Sequence, residues 1–459
     1  MLEPLLVRTA RHVAAYRTAA DDAPVYPTSD LDAGRAAIGG PLPTEPRAAE
    51  LVVDQLIAGV ETLMVATTGP RYFGFVIGGA LPASTAAELL VTGWDQPAYN
   101  HLSSPGAAVV EEVAGAWLLE LLGLPPTASF GFVTGAQAAN TVCLAAARHQ
   151  VLADAGWDVE RDGLVGAPKV RIIASEERHA TIDRSLRLLG FGSGSLDLVP
   201  ADANGAIDSS ALARLLVDTP KGPTIVCLQA GNVNTGACDD LTAAVSSAHD
   251  HGAWAHVDGA FGLWAAASPT TRHLVEGIET ADSWGTDGHK WLNVPYDSGY
   301  AFCAHPDAHA AAMAYTAAYL VGSATPALRS PGDFVPESSR RARGPATWAA
   351  VRELGSIGIA DLVDRCCRLA QRFAERLAVH DGIAIGNDVV LNQVLVRFGD
   401  DDATTDQVIE AVQRSGECWM GGTTWKGRRF MRISVSNWRT SELDVDRSVQ
   451  AIVAVYTAL

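Results

Sequence analysis

Residues 283–295 read SWGTDGHKWLNVP. A β-prone run ends here at Lys290, and Trp291, Leu292 and Val294 follow at once. The ammonium group of Lys290 is therefore expected beside apolar walls. Lysine is scarce in this chain, with four in 459 residues. Lys169 precedes a strand-like run, Lys221 sits in Pro-Lys-Gly-Pro and Lys426 in Trp-Lys-Gly-Arg-Arg, so these three read as solvated loop residues. Desolvation disfavours the charged form of an amine and exposes its lone pair. Such an amine can form an imine with an aldehyde. A lysine that merely snorkels past apolar neighbours fits the stretch equally well.

Outward from this run the same pattern recurs. SFGFVTG (129–135), VRIIAS (170–175), TIVCLQAG (224–231), AWAHVDGA (253–260) and YAFCAH (300–305) read as strands. Helical stretches such as 138–153 and 240–251 lie between them. Repeated strand, helix, strand predicts an α/β fold with a large, mostly parallel sheet covered by helices on both faces. Before it, Val110, Val113, Ala114, Trp117, Leu118 and Leu121 follow the spacing of a helix buried along one stripe, ended by Gly123 and Pro125-Pro126. Residues 1 to about 65 read as interrupted helices, and RYFGFVIGGALPA (71–83) as a glycine-rich segment passing close to another surface. Residues 315–344 are rich in Gly, Pro, Ser and charge and predict a mobile loop or junction. Beyond them a helix over 346–378, strands over 389–398 and 430–438 and a closing helix predict a smaller C-terminal α+β domain. The expected divisions are an N-terminal helical segment 1–90, a large α/β domain 91–335 and a small domain 336–459.

Composition narrows the function. A formal charge of −18 repels phosphate backbones and argues against a nucleic-acid partner. No apolar run approaches twenty residues, so no membrane span is expected, and the N-terminus lacks the pattern of a secretion signal. The expected location is cytoplasmic. Seven cysteines give neither a CxxC zinc pattern nor a disulfide framework, and are expected as reduced, mostly buried thiols, with no metal site.

Ligands of an open parallel sheet bind at the carboxyl ends of its strands, which selects a short set of residues. Thr134-Gly135-Ala136-Gln137 leads from a strand into a helix, where free amides favour an anion such as phosphate. His179 follows the second strand, and AGNVNTG (230–236) ends the third. Then comes His256-Val257-Asp258-Gly259-Ala260, in which alternation points His256 and Asp258 to one face. A carboxylate buried there needs a partner: an arginine, a backbone amide, or a protonated ring nitrogen of a cofactor. An anion cradle, a flat-faced histidine, a buried aspartate and a lysine match the needs of pyridoxal phosphate.

With HVDGA and GHKWLNVPYDSG as its most specific motifs, the chain from about Arg71 onward resembles the group II pyridoxal-phosphate-dependent amino acid decarboxylases, which include aromatic amino acid and glutamate decarboxylases. The resemblance implies the aminotransferase-like fold, fold type I. It implies that Lys290 forms the internal aldimine, Asp258 holds the pyridinium proton and His179 stacks on the ring. Ala136, Gln137 and His289 would bind phosphate, Ala260 would pack beneath the ring, and Tyr319 matches the catalytic-loop tyrosine. Two positions depart from the pattern. Gln137 stands where a serine is usual, and Asn232 where many members have threonine, although Asn232 can still donate to the cofactor. The implied reaction releases CO₂ from an L-amino acid and leaves its amine, with a homodimer whose active site lies at the subunit interface, the use expected for the 71–83 segment.

The same fold also supports aminotransferases and aldehyde-forming decarboxylases, and an inactive cofactor-binding scaffold is a third reading. Tyr319 favours the amine-forming enzyme, because phenylalanine accompanies aldehyde formation in the family. An acidic substrate would need an arginine, for which Arg71 and Arg343 are candidates. An aromatic one would need flat apolar walls, for which Tyr72, Phe73, Phe75 and Trp94 are candidates.

Overall fold

The structure is a computed structural model that describes residues 2–218, 221–315 and 329–459. In chain order its helices are α1 (Leu2–Ala19), α2 (Leu31–Ile38), α3 (Ala49–Val60), α4 (Pro82–Trp94), α5 (Pro105–Leu121), α6 (Ala136–Asp154), α7 (Val159–Asp162), α8 (Ala180–Leu188), α9 (Ser209–Val217), α10 (Leu241–Asp250), α11 (Pro306–Met313), α12 (Gly344–Ala378), α13 (Asp402–Ser415) and α14 (Glu442–Ala458). Two compact units form: Ala80–Arg368 with Asn387–Gln393, and Met1–Gly79 with Leu369–Gly386 and Val394–Leu459.

The larger unit is built on seven strands: β1 (Ser129–Val133), β2 (Arg171–Ser175), β3 (Leu196–Val199), β4 (Thr224–Gln229), β5 (Trp254–Asp258), β6 (Ser283–Asp287) and β7 (Gly299–Cys303). Their order is β1-β7-β6-β5-β4-β2-β3. Only β7 runs against its neighbours, pairing antiparallel with both β1 and β6. Every residue of β1, β4, β5, β6 and β7 is buried. Successive side chains point to opposite faces, so both faces of this sheet are covered. The alanine-rich α6 has high helix propensity, and its Leu144, Ala147 and Val151 share a buried core cluster with Ile172, Ile225 and Ile182. Asp208 and Asp240 cap α9 and α10 by accepting the Ala211 and Ala243 amides.

Two elements of the larger unit depart from the sequence expectation. β3 lies outside the runs that read as strands: it is a four-residue edge strand whose middle residues, Asp197 and Leu198, are exposed, and Asp197 breaks any continuous apolar run. On α5 the fully buried residues are Ala107, Ala108, Glu111, Ala114, Gly115, Leu118 and Leu119, whereas Val110, Val113, Trp117 and Leu121 are only half-buried. The helix turns a carboxylate inward because Arg340 meets it there, with Nη2 at 2.8 and 2.9 Å from the two Glu111 oxygens.

The second unit carries the four-stranded sheet β10-β11-β9-β8, made of β8 (Ile383–Ile385), β9 (Gln393–Phe398), β10 (Gly421–Trp425) and β11 (Arg428–Ser434). Pairing is antiparallel between β10 and β11 and between β8 and β9. Residues 71–79 are packed within this unit. Tyr72 stacks on Trp419 at 5.0 Å, and Phe73 meets Phe373 edge-on. A Cβ on Gly74 would lie 2.2 Å from the Trp419 ring, and one on Gly79 would lie 2.7 Å from Asn437. Close approach inside the chain thus accounts for both glycines.

Candidate active site

The opening stretch folds back on itself directly after β6. Gly288 and His289 donate their amides to Ser298 O, at 3.0 and 3.2 Å, and Val294 N donates to Gly288 O at 3.0 Å. Gly288 is required, because a Cβ there would lie 2.2 Å from the Tyr300 hydroxyl. Asn293 closes the turn at φ 58°, a left-handed conformation that asparagine tolerates, and its side chain donates to Trp291 O. The result fixes Lys290 between Asp287 at the end of β6 and the buried Trp291 and Leu292.

The amine of Lys290 does not lie in an apolar enclosure. Its Nζ is 3.1 Å from Asp287 Oδ2, and the apolar neighbours flank an ion pair. Asp287 Oδ1 accepts the amide of Ala136, the first residue of α6, and lies 3.4 Å from His289 Nε2. Gly135 offers α6 no side-chain cap, so a carboxylate from another strand takes that position. His289 stacks on Tyr296 at 4.1 Å and accepts the Ser298 amide on Nδ1, while burial pushes its ring toward the neutral form.

A second cluster is tied to the first through α6. Gln137 turns its amide to Ser185 Oγ at 2.9 Å and Thr181 O at 3.3 Å. Thr181 Oγ1 donates to Asp258 Oδ2 at 3.3 Å, lies 3.0 Å from His179 Nδ1 and accepts from Asn140. His179 also caps α8 by accepting the Thr181 amide. Asp258 Oδ1 accepts the Ala260 amide at 3.2 Å, and Ala260 O accepts the Asp287 amide at 2.9 Å. Lys290, His289, Ala136, Gln137, His179, Asp258 and Ala260 therefore belong to one connected network. Its connectors, Asp287 and Thr181, were not among the residues expected from sequence. Asp287 ends a strand in the same way as Asp258, so the strand-end rule could have found it.

Asn232 is committed to its own turn. It donates to Glu177 O and Gln229 Oε1 and accepts the Asn234 and Thr235 amides. Tyr319 lies outside the described residues. Of the two candidate arginines, Arg71 donates to the carbonyls of Asp21, Ala23 and Glu417, and Arg343 pairs with Asp297 at 2.8 Å. Among the aromatic candidates Tyr72 and Phe73 are buried, whereas Phe75 and Trp94 are exposed.

The network rests on His256, which bridges Ser283 Oγ at 3.0 Å and Asn140 Oδ1 at 3.1 Å. Burial pushes its ring down to about 4 from the usual 6.5, with Asp258 opposing. Between those two values the unfolded chain binds a proton that the folded one refuses. Stability therefore falls as pH drops through this window, by roughly 3 kcal/mol from this group. Urea midpoints measured from pH 7 to pH 4.5 should show the fall. His256→Gln can keep both hydrogen bonds and should make it shallower.

Comparison with known proteins identifies the family. Residues 41–398 match the pyridoxal-dependent decarboxylase conserved domain. An aromatic-L-amino-acid decarboxylase of Bacillus atrophaeus is 26% identical over 399 residues, which is 84% of this chain and 81% of that protein. A phenylacetaldehyde synthase of a Rosa hybrid cultivar is 25% identical over 421 residues, covering 84% and 82%. The crystal structure of Oryza sativa TDC with PLP and tryptamine superposes with a TM-score of 0.92 at 21% identity, covering 100% of this chain and 98% of that one, a likeness of fold. The large mixed sheet with its covering helices is thus fold type I, and the chain belongs to the pyridoxal-dependent decarboxylase family, carboxy-lyases whose cofactor is pyridoxal phosphate.

Proposed function

We propose that the chain converts an aromatic L-amino acid into its amine and CO₂ at the network around Lys290. The observation that carries this is Asp258. Its carboxylate is 3% exposed, has one amide and one hydroxyl as hydrogen-bond partners, and makes no ion pair among the described residues. A buried carboxylate in that state is suited to a cation, which a protonated pyridine nitrogen supplies. The Lys290 amine suits an aldehyde, and the α6 N-terminus, whose Ala136 amide Asp287 holds, is the place proposed for the phosphate.

Bound pyridoxal phosphate supplies an electron-poor ring that accepts the charge left as CO₂ departs. The chain's residues do the rest. Lys290 would contribute the amine that holds the cofactor. Asp258 keeps a proton on the ring nitrogen, oriented by the Thr181 hydroxyl. His179, held at the start of α8, would cover the ring, with Ala260 beneath it. Ala136, Gln137 and His289 are the proposed cofactor contacts on the phosphate side and Asn232 is a further proposed cofactor contact, with Gln137 and Asn232 contributing chiefly by bracing their turns. Tyr319 is assigned to protonation of the substrate carbon.

An aromatic substrate is supported by the names of the relatives and by the commitment of both candidate arginines to protein partners. A homodimer belongs to the same proposal, since α1 buries none of its residues and leaves Leu2, Leu6 and Val7 exposed. Cytoplasmic location is proposed with it. No helix among the described residues is long and apolar enough to cross a membrane, and the seven cysteines are free, six of them buried.

The test is to incubate cofactor-loaded protein with each amino acid and to measure CO₂, amine, aldehyde and keto acid together. CO₂ with equimolar amine from an aromatic amino acid is the expected result. Aldehyde in place of amine would assign the branch of the Rosa relative, and keto acid without CO₂ would overturn the decarboxylase.

A further inference from the structure

Asp287 stands where the cofactor's phosphate is expected. Its carboxylate is 2% exposed, receives the Ala136 amide at 2.5 Å, contacts Lys290 Nζ at 3.1 Å and lies 3.4 Å from His289 Nε2. No acidic residue occurs in the first turn of α6, and Gly135 gives no side-chain cap. The positive end of the helix is thus compensated by a side chain that arrives from β6. Space is tight as well. A Cβ on Gly135 would meet Asp287 Oδ1 at 3.1 Å and His289 Cε1 at 3.0 Å, and one on Gly299 would lie 2.4 Å from Gly135 Cα.

We propose that Asp287 is a resident anion that competes with the cofactor's phosphate for the α6 N-terminus, so that this one side chain sets how tightly the chain holds its cofactor. The inference rests on the phosphate assignment made above. Two like charges within a few ångströms in a buried site repel, and they would share the same donors, the Ala136 amide and the His289 ring. Phosphate can settle only by displacing the carboxylate or by bearing its charge alongside. Asp287 therefore acts as a specificity residue, because it penalises a ligand for being a phosphate ester, over and above any effect its ion pair has on the Lys290 amine. It also holds the Lys290 ammonium in place in the absence of ligand.

Asp287→Asn removes the charge and keeps an oxygen for the Ala136 amide. Asp287→Ala removes both, and circular dichroism checks that each variant folds. Dissociation constants for pyridoxal phosphate and for pyridoxal are measured by absorbance titration, and their ratio cancels any change in amine reactivity. In Asp287→Asn the preference for the phosphorylated form should rise by about tenfold or more, a shift of about 1.4 kcal/mol. Inorganic phosphate should bind ligand-free Asp287→Asn more tightly than the unsubstituted protein by a similar factor, read by calorimetry. An unchanged or reduced preference, or phosphate binding that does not tighten in either variant, overturns the inference. The phosphate titration uses no aldehyde chemistry. If no adduct forms at Lys290 in any variant yet phosphate binding tightens, the role of Lys290 falls and that of Asp287 stands.

Discussion

Lys290→Ala should abolish the adduct that borohydride traps between protein and pyridoxal phosphate, and should lower turnover by on the order of 10⁴-fold or more, the scale on which loss of a covalent catalytic group acts. The other three lysines, Lys169, Lys221 and Lys426, are exposed, and Lys426 sits at φ 46° in a turn beside the Trp425 ring. Neither Lys169 nor Lys221 is connected to Asp258 or to the α6 N-terminus by a hydrogen bond among the described residues. Because Lys290 is the ion-pair partner of Asp287, its removal also leaves a buried carboxylate with fewer partners. Lys290→Arg separates the two effects, because a guanidinium keeps the charge and cannot form an imine. Both variants should lose the trapped adduct, and only Lys290→Ala should lose stability, by about 1–3 kcal/mol in urea unfolding. Peptide mapping that finds the trapped cofactor on another lysine would refute the assignment.

The parallel sheet is legible because its inner strands are buried on both faces and therefore appear as uninterrupted apolar runs, as in TIVCLQ of β4. β3, β8 and β10 lack that signature. β3 is half-exposed at an edge, β8 is three residues long, and β10 begins with two glycines. Asp258, His179 and Lys290 could be selected from sequence since each follows directly from a strand-end position. Asp287 holds such a position too, but its significance comes from meeting the Ala136 amide 151 residues away, which no local pattern records. For the same reason the sequence suggests an apolar pocket around Lys290 where an ion pair is found. On α5 the apolar stripe points to Val110, Val113 and Trp117, and the buried face is turned toward Glu111 by an arginine distant in sequence.

That buried charge should be the most sensitive point of the larger unit. Glu111 is fully buried, and Arg340 binds both of its oxygens, while Arg329 Nη1 lies 3.9 Å away. Arg329 is itself wedged over the Phe130 and Phe334 rings at 4.0 and 4.6 Å, and burial pushes its guanidinium down to about 10. Glu111→Ala would leave two enclosed cations without their counter-charge, which costs about 3–5 kcal/mol. A stability of 5–15 kcal/mol is typical of a domain, so this change removes a large share of it. The pair is also incompletely satisfied, since Arg340 Nε and Nη1 are buried with no hydrogen-bond partner among the described residues. Desolvation of Arg340 is thus only partly offset, and replacing both partners by methionine should restore most of the loss. The decisive measurement is the urea midpoint of Glu111→Ala, Arg340→Met and the double variant Glu111→Met with Arg340→Met. A double variant as unstable as the single ones would mean that α5 depends on the charges themselves. Recovery would mean that they fix which face of α5 is turned inward and add little net stability.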